Sequence, residues 1–270
     1  MVWLSSDIAT GTDTTASIRR RRGGSAANVA VRAASTGVGV RFIGRVGSDA
    51  IGTALIDELR AGGVDPRVQR VGRTGTIVVL VDTAGERSML PDRAAATELD
   101  SIDAGDTAGV EWLHVPAYSL SVEPLATATR TAIQHVRLAG GLLSLDASSV
   151  ALIDDMGADV FSRMVNELGP NVVLCNADEA AALRVGETKG LPGAEVTIVK
   201  SGRNPAVAYS NGALVVSVPA IALEHVRDTT GAGDAFAAGL IAARMESEDI
   251  ESAIARGHEL AAQVLAEHSS

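Results

Sequence analysis

The sequence predicts an α/β fold, in which a mainly parallel central sheet carries helices on both of its faces. Short apolar, β-branched runs alternate along the chain with longer runs of helical period that are rich in alanine and leucine. Strands as continuously apolar as these are typical of a parallel sheet that is covered on both sides. The 270 residues, 46% hydrophobic and 21% charged, suffice for a single domain over residues 1–270.

The individual elements follow from these runs. The predicted strands are the short apolar runs at 40–46, 76–82, 112–116, 141–146, 171–176, 196–202 and 214–218. The predicted helices begin near Ser25, Asp49, Glu123, Met156, Ala177, Gly231 and Asp249. Ser25 and Asp49 are of the residue types that cap helix N-termini, and the Gly140–Gly141 pair favours the end of a helix.

Two stretches, residues 6–22 and 71–93, break the alternation because they read as strands and turns without a helix between them. We expect them to form a small β-rich lid over the main sheet. The first stretch ends in four consecutive arginines, Arg19–Arg22. In a chain of net charge −10, we interpret this run as a solvated strand edge guarded by charge rather than as a phosphate or nucleic-acid patch.

Composition limits the partners and the compartment. A net charge of −10 argues against nucleic acid or an anionic membrane as the main partner. No apolar run reaches the ~18 residues that a membrane-spanning helix needs. The single cysteine, Cys175, fits a reducing compartment. These observations predict a cytoplasmic protein.

The first stretch with a chemical signature is DTTGAGDAFAAGL, residues 228–240. Gly231 and Gly233 allow a tight turn at the start of a helix, where backbone N–H groups without internal partners attract an anion such as phosphate. Asp234 in the first turn has two interpretations. It stabilises the helix dipole, or it accepts the proton of a hydroxyl group that attacks a phosphoryl group held by the turn.

Two further stretches each have a ligand-binding interpretation and a purely structural one. In GGSAANVAVRAASTG, residues 23–37, Gly23, Gly24 and Asn28 suit close contact with a hydroxylated ligand, or simply a helix cap packed tightly on a sheet. In LCNADEAAALRVGE, residues 174–187, Asn176 and Glu179 follow a buried strand and offer oxygen atoms for Mg²⁺. The alternative is that Asn176 ends the strand and Glu179 favours the start of a helix.

Together these three stretches, in this order, resemble the ribokinase (PfkB) family of sugar kinases over nearly the whole chain. The resemblance implies a ribokinase-like fold and ATP-dependent phosphorylation of a hydroxyl group on a sugar or sugar-like molecule. It also implies that Asp234 is the general base and that the anion hole is formed by Gly231, Ala232 and Gly233. By the same resemblance, Gly23, Gly24 and Asn28 contact the substrate, and Asn176 and Glu179 are the pair associated with Mg²⁺.

The resemblance extends to the nucleotide and the lid. Lys200 and Gly202, in VKSG, match the segment that runs beside ATP, and Gly257 and His258 occupy the region that borders adenine. A surface position on an amphipathic helix is the interpretation we favour for His258. The lid of the family often also serves in dimerisation, which makes a homodimer an expectation, whereas activation by K⁺ is left open.

One departure concerns the start of the chain, MVWLSSDIATGTDT. Family members usually begin with a strand that is followed by a substrate-binding aspartate, and we recognise neither at the start of this sequence. A start codon assigned too late is one hypothesis, and a degenerate kinase is the other. The rival functions are therefore a catalytically impaired sugar- or nucleotide-binding protein and a nucleoside kinase on the same fold.

Overall fold

The computed structural model describes residues 1–84, 86–186, 190–224, 226 and 228–267. The strands are β1 (Val2–Leu4), β2 (Ala16–Ile18), β3 (Val40–Val46), β4 (Val64–Arg70), β5 (Thr76–Val81), β6 (Arg87–Asp92), β7 (Trp112–Pro116), β8 (Leu142–Asp146), β9 (Val172–Asn176), β10 (Val196–Lys200), β11 (Ala206–Ser210) and β12 (Ala213–Val218). The helices are α1 (Ser25–Ala34), α2 (Ala50–Ala61), α3 (Ala104–Thr107), α4 (Leu125–Leu138), α5 (Val150–Met156), α6 (Ala158–Leu168), α7 (Ala177–Ala182), α8 (Ala232–Met245) and α9 (Ile250–Glu267).

The main sheet has six strands in the order β12-β11-β10-β9-β8-β7. Strands β7 to β10 are parallel, whereas β11 and β12 are antiparallel and form one edge. The predicted α/β fold with a mainly parallel sheet is therefore confirmed. The parallel strands are buried on both faces, as their continuous apolar sequence predicts.

The sheet is interrupted rather than continuous. Strands β3 and β4 form a separate parallel pair. Within the described ranges, β3 pairs only with β4 and β7 pairs only with β8, although α1 packs against both β3 and β7. The two parallel groups of strands are therefore linked by a shared covering helix rather than by hydrogen bonds between β3 and β7.

Two apolar clusters cover the main sheet from opposite sides. On β9, Val172 and Leu174 belong to a cluster with α1, α8 and α9, while Val173 and Cys175 point into a cluster with α5, α6 and α7. Helix α8 lies so close to α9 that a methyl group at Gly239 would approach the Arg256 carbonyl oxygen to 2.6 Å. This packing fixes the start of α8 against the strand ends, where the candidate site lies.

The second sheet has the order β2-β1-β5-β6, and three of its four strands come from the two irregular stretches. The stretch 71–93 supplies β5 and β6, but 6–22 supplies only β2, and β1 precedes it. Asp49, the N-cap of α2, ties this sheet to the main body because its carboxylate accepts hydrogen bonds from the Thr74 N–H (2.8 Å) and hydroxyl (2.5 Å) just before β5. We keep the name lid for these four strands.

Five elements were not predicted: β1, β4, β11, α3 and α5. Strand β4, with the sequence VDPRVQR, is polar and contains a proline, so it lacks the apolar signature of a strand. Strand β11 is a short edge-proximal run that follows directly on the turn after β10, and α5 has only seven residues. Each is held by tertiary pairing or packing rather than by its own sequence pattern.

Candidate active site

Residues 231–233, which we call the GAG turn, and Asp234 lie at the start of α8. Gly231 is the N-cap and has φ = 80°, a left-handed conformation that glycine adopts without strain. The turn is open to solvent at Gly233, and Asp234 is half-buried in the first helical turn. The local structure is the one that the three-residue motif predicts.

The Asp234 carboxylate is held by two side chains from the first turn of α1. The Ser25 hydroxyl donates to Oδ1 (2.7 Å), and the Asn28 amide Nδ2 donates to Oδ2 (2.8 Å). These partners lie 209 and 206 positions away in the sequence. The fold thus brings together two motifs that the sequence offered separately, which a dipole-stabilising acid at a helix start would not require.

Burial raises the pKa of Asp234, and the nearby Asp146 carboxylate raises it further. The hydrogen bonds from Ser25 and Asn28 work in the opposite direction because they stabilise the charged form. A carboxyl group whose pKa lies above its ordinary value is a better proton acceptor once it is ionised.

The backbone N–H groups of the predicted anion hole differ in their hydrogen bonding. The Ala232 N–H donates to the Thr229 carbonyl (3.2 Å), so it is already engaged. Among the described residues, the Gly233 N–H has no hydrogen-bond partner, and it remains free to hold an anion. The helix dipole adds partial positive charge at the same place.

Lys200, at the end of β10, lies beside this turn. Its ammonium group forms an ion pair with Asp146 (Nζ–Oδ2 2.9 Å), and the two side chains are only 15% and 14% exposed. A methyl group at Gly233 would lie 3.4 Å from Nζ. Burial alone would lower the pKa of Lys200, but Asp146 and Glu179 raise it above its ordinary value, so the group is charged.

Asn176 and Glu179 bond to each other as a capping box at the start of α7. The Glu179 N–H donates to the Asn176 side chain (2.8 Å), and the Asn176 N–H donates to Glu179 Oε2 (2.8 Å). This is the strand-end and helix-start interpretation that the sequence left open, and it does not by itself indicate a metal. Burial raises the pKa of Glu179, and Asp146 adds to this effect.

The residues present fit Mg²⁺ only as a partial ligand set. The Asp146 carboxylate raises the pKa of both Glu179 and Asp234, and Lys200 is the cation among these three carboxylates. A divalent cation would offset this negative charge. No group of three or more potential ligand side chains converges within the ranges that the structure describes, so Mg²⁺ would bind mainly through water and phosphate oxygens.

The other residues predicted at the nucleotide are placed differently. Gly202 has φ = 59° in an open turn after β10. Gly257 packs against Phe236, and His258 is buried with its ring edge-on to Phe236 at 5.2 Å. The favoured surface position of His258 is therefore wrong, because α9 packs that side chain against α8.

The run Arg19–Arg22 was predicted to be a solvated strand edge, and only its first three arginines are exposed. Arg19, Arg20 and Arg21 are exposed, but Arg22 is half-buried and donates to Asn28 Oδ1 (3.0 Å). Arg21 lies 3.5 Å from Asp228, at the other side of the GAG turn. Gly23 and Gly24 follow the run directly, so Arg22, the last arginine of the run, lies next to the candidate site.

Three of these residues were missed as parts of the site: Ser25, Arg22 and Asp146. Ser25 was taken for a helix cap, yet Gly24 (φ = 97°) is the N-cap of α1 and no side chain caps it. The spacing of Ser25 and Asn28 on one helix face was the available signal. Asp146 ends the predicted strand 141–146, and its pairing with Lys200 depends on the order of strands in the sheet.

Within the described ranges, no helix combines the length and the apolar character that crossing a membrane requires.

Comparisons with known proteins agree with this geometry. The chain matches the family model described as pfkB family carbohydrate kinase over residues 4–270. It is 32% identical over 234 residues to a fructokinase from Klebsiella pneumoniae, covering 82% of this chain and 76% of the fructokinase. The crystal structure of adenosine kinase from Sinorhizobium meliloti superposes with a TM-score of 0.82 at 25% identity, covering 94% of this chain and 80% of that one.

A second solved structure, an E. coli protein described as a ribokinase II in complex with ATP and Mg²⁺, has a TM-score of 0.80 at 22% identity. The match covers 100% of this chain and 92% of that chain. The fold is therefore ribokinase-like. The chain belongs to the pfkB family of carbohydrate kinases, phosphotransferases that act on an alcohol group with ATP as the phosphoryl donor.

Proposed function

We propose that this kinase transfers the γ-phosphoryl group of ATP in line to a hydroxyl group of a sugar, with Asp234 as the general base. The observation that carries the proposal is the hydrogen-bonded unit of Asp234, Ser25 and Asn28, two helix starts brought together across the fold. Ser25 and Asn28 hold the carboxylate in one orientation, and Asp234 accepts the proton as the hydroxyl oxygen attacks.

The developing negative charge is stabilised next to the base. The free Gly233 N–H and the start of α8 provide one contribution, and the Lys200 ammonium group beside Gly233 provides another. Gly231 supports the turn through its left-handed conformation. The Asp146 carboxylate positions Lys200, since the 2.9 Å ion pair fixes Nζ at the strand end.

Glu179, with Asn176 positioning it, is the residue that would hold Mg²⁺ through a bound water molecule. When bound, the metal supplies charge neutralisation at the phosphate oxygens. Burial raises the pKa of the Glu179 carboxylate, although the nearby Lys200 ammonium group works in the opposite direction. Activation by K⁺ has no support from the geometry.

The residues of the proposed site fall into two groups, one for each substrate. We define the acceptor end as Gly23, Gly24, Ser25, Asn28 and Asp234, and the nucleotide end as Asn176, Glu179, Lys200, Gly202, Gly257 and His258. At the acceptor end, Gly23 and Gly24 let the sugar approach the backbone. At the nucleotide end, Gly202 lies in an open turn that suits contact with ATP. Gly257 and His258 contact Phe236 instead, so they would affect the nucleotide only indirectly, through that side chain.

A panel assay tests the proposal. ATP consumption is measured with fructose, ribose and adenosine as acceptors, and thermal unfolding is followed with the same compounds. We expect turnover with a sugar and little with adenosine, because aromatic residues make up only 3% of the chain and base stacking needs aromatic faces. Sugar binding without any turnover would instead support the rival, an impaired binding protein.

A homodimer through the lid is a further part of the proposal. Ile18, Val78 and Leu90 share one face of the lid sheet by register, and they are 71%, 42% and 53% exposed. Such an apolar face is typical of a contact surface, and a second copy is the partner we expect. Light scattering after chromatography measures the mass; a monomer at micromolar concentration would contradict the proposal. A cytoplasmic location stays a prediction.

A further inference from the structure

We propose that the acceptor of this kinase carries an anionic group, a phosphate or a carboxylate, and that Arg22 binds it. The inference rests on the proposed function, because it concerns the acceptor end of the same site. It names a class of substrate, anionic sugars, and a specificity-determining residue from the RRRRGG sequence that precedes α1.

The position of Arg22 is the first argument. Its guanidinium donates to Asn28 Oδ1 (3.0 Å), while Nδ2 of the same amide donates to Asp234 Oδ2 (2.8 Å). The cation therefore lies on one side of the Asn28 amide and the proposed base on the other. A sugar whose hydroxyl group reaches Asp234 would place a substituent on the far side of Asn28 next to Arg22.

The second argument is that Arg22 has unused binding capacity. A guanidinium has five N–H donors, and within the described part of the chain the one hydrogen-bond partner of Arg22 is the neutral Asn28 side chain. The group is half-buried. Burial lowers its pKa and Arg32 lowers it further, against the opposing effects of Glu58 and Asp234. A half-buried cation without a bonded carboxylate is stabilised by an anionic ligand.

The surrounding charges point the same way. The first turn of α1 contains no acidic residue, and the N–H groups at a helix start favour negative charge. Arg21 is engaged with Asp228 at 3.5 Å, so Arg22 is the arginine of the run that faces the acceptor end.

The test compares a neutral sugar with anionic counterparts. Fructose, fructose 6-phosphate and gluconate are titrated into the protein by calorimetry, and kcat/KM is measured for each with ATP. We expect wild-type protein to favour at least one anionic sugar over fructose. Arg22→Gln should reduce this preference by about 10- to 100-fold, the range expected for one charge-assisted hydrogen bond, and Arg22→Lys should retain part of it.

Arg20→Gln is the matched control because it removes the same charge from an exposed position two residues earlier. It should leave the preference as in wild-type protein. Equal preference for fructose and both anionic sugars in wild-type protein would overturn the inference. So would an equal loss in Arg20→Gln and Arg22→Gln, which would indicate only the general field of the run, or an Arg22→Gln loss that is the same for neutral and anionic sugars.

The two readouts separate this inference from the proposed function. If anionic sugars bind more tightly through Arg22 but none is phosphorylated, the binding inference stands and the proposed phosphoryl transfer fails. If fructose is phosphorylated as efficiently as the anionic sugars in wild-type protein, the proposed transfer stands and the role of Arg22 is refuted. Thermal unfolding of Arg22→Gln shows whether the variant is folded.

Discussion

At the acceptor end of the site, Asp234 takes its hydrogen bonds from a helix more than 200 positions earlier, whereas at the nucleotide end Asn176 and Glu179 bond each other across three positions. The first arrangement buries the Asp234 carboxylate, which is energetically unfavourable and is not required to start helix α8. The second is what any strand-to-helix junction of this sequence would form. Convergence over a long sequence distance therefore carries more information about function than a locally satisfied motif.

Lys200 shares features of both ends: it lies at the nucleotide end, but a distant residue holds it in place. The family resemblance predicts that Lys200 lies beside ATP, whereas its partner Asp146 comes from a strand 54 positions earlier, two places away in the sheet. The ion pair is what brings its charge to the GAG turn. Variants at Asp234, Lys200, Glu179 and Ser25 measure how far the two ends differ.

The largest effect is expected at the acceptor end, from Asp234→Asn. Loss of the general base should lower kcat by about 10²- to 10⁴-fold, while the affinity for ATP changes little because the nucleotide end is untouched. Steady-state kinetics and calorimetry with ATP measure the two quantities. Asp178→Asn, an exposed carboxylate in the first turn of α7, is the control. A variant with a near-wild-type rate would refute the assignment of the base.

Lys200→Met tests the residue that joins the ends. We expect kcat to fall by roughly 10²- to 10³-fold, as for loss of one oxyanion-stabilising group. The variant should also lose about 3 kcal/mol of unfolding free energy, because Asp146 stays buried without its cation. Denaturant titration measures the stability.

The double variant Lys200→Met/Asp146→Asn separates these effects, since it removes the unpaired buried charge. Stability should return toward that of wild-type protein while the rate stays low. Recovery of the rate together with stability would show that Lys200 acts only through the fold.

Glu179→Gln tests the nucleotide end with its cap preserved, because glutamine in the same position still accepts the Asn176 N–H. The Mg²⁺ concentration for half-maximal rate should rise about 10-fold. The folded-state pKa of Glu179 is raised by burial, so its ionised form lowers stability above that pKa. The variant should therefore be at least as stable as wild-type protein at neutral pH, with the difference vanishing in acid, where both side chains are neutral.

Glu179→Ala is the matched comparison, since it removes the capping hydrogen bond as well and should cost about 1 kcal/mol. If Glu179→Gln left the Mg²⁺ requirement unchanged, the capping box would be the whole role of this pair, and the nucleotide end would lose its proposed metal-binding residue.

The smallest effect is expected from Ser25→Ala. The Ser25 hydroxyl lowers the pKa of Asp234, so its removal should raise that pKa further and leave less of the base ionised in mild acid. The acidic limb of the profile of kcat/KM against pH should move to higher pH, with little change on the alkaline side. Ser35→Ala, at the other end of α1, should leave the profile unchanged; a shift of the limb toward lower pH would contradict the proposed contact.

The alternation of apolar runs was enough to predict the α/β class and most strands to within two residues, whereas the role of Asp234 stays a prediction. These features depend on neighbours in the sequence: side-chain period, glycine conformation and helix starts. Strand β4 and the burial of His258 were beyond such reasoning, because pairing with β3 and packing against Phe236 decide them.

By itself, the sequence determined which residue types stand at each helix start and strand end. Only the tertiary structure decided that Ser25 faces Asp234, that Arg22 reaches Asn28, that Asp146 pairs with Lys200, and that the main sheet is interrupted between β3 and β7. The physical reason is that side-chain hydrogen bonds and ion pairs act over about 3 Å, so they exist only after the order of strands and helices has brought distant segments into contact.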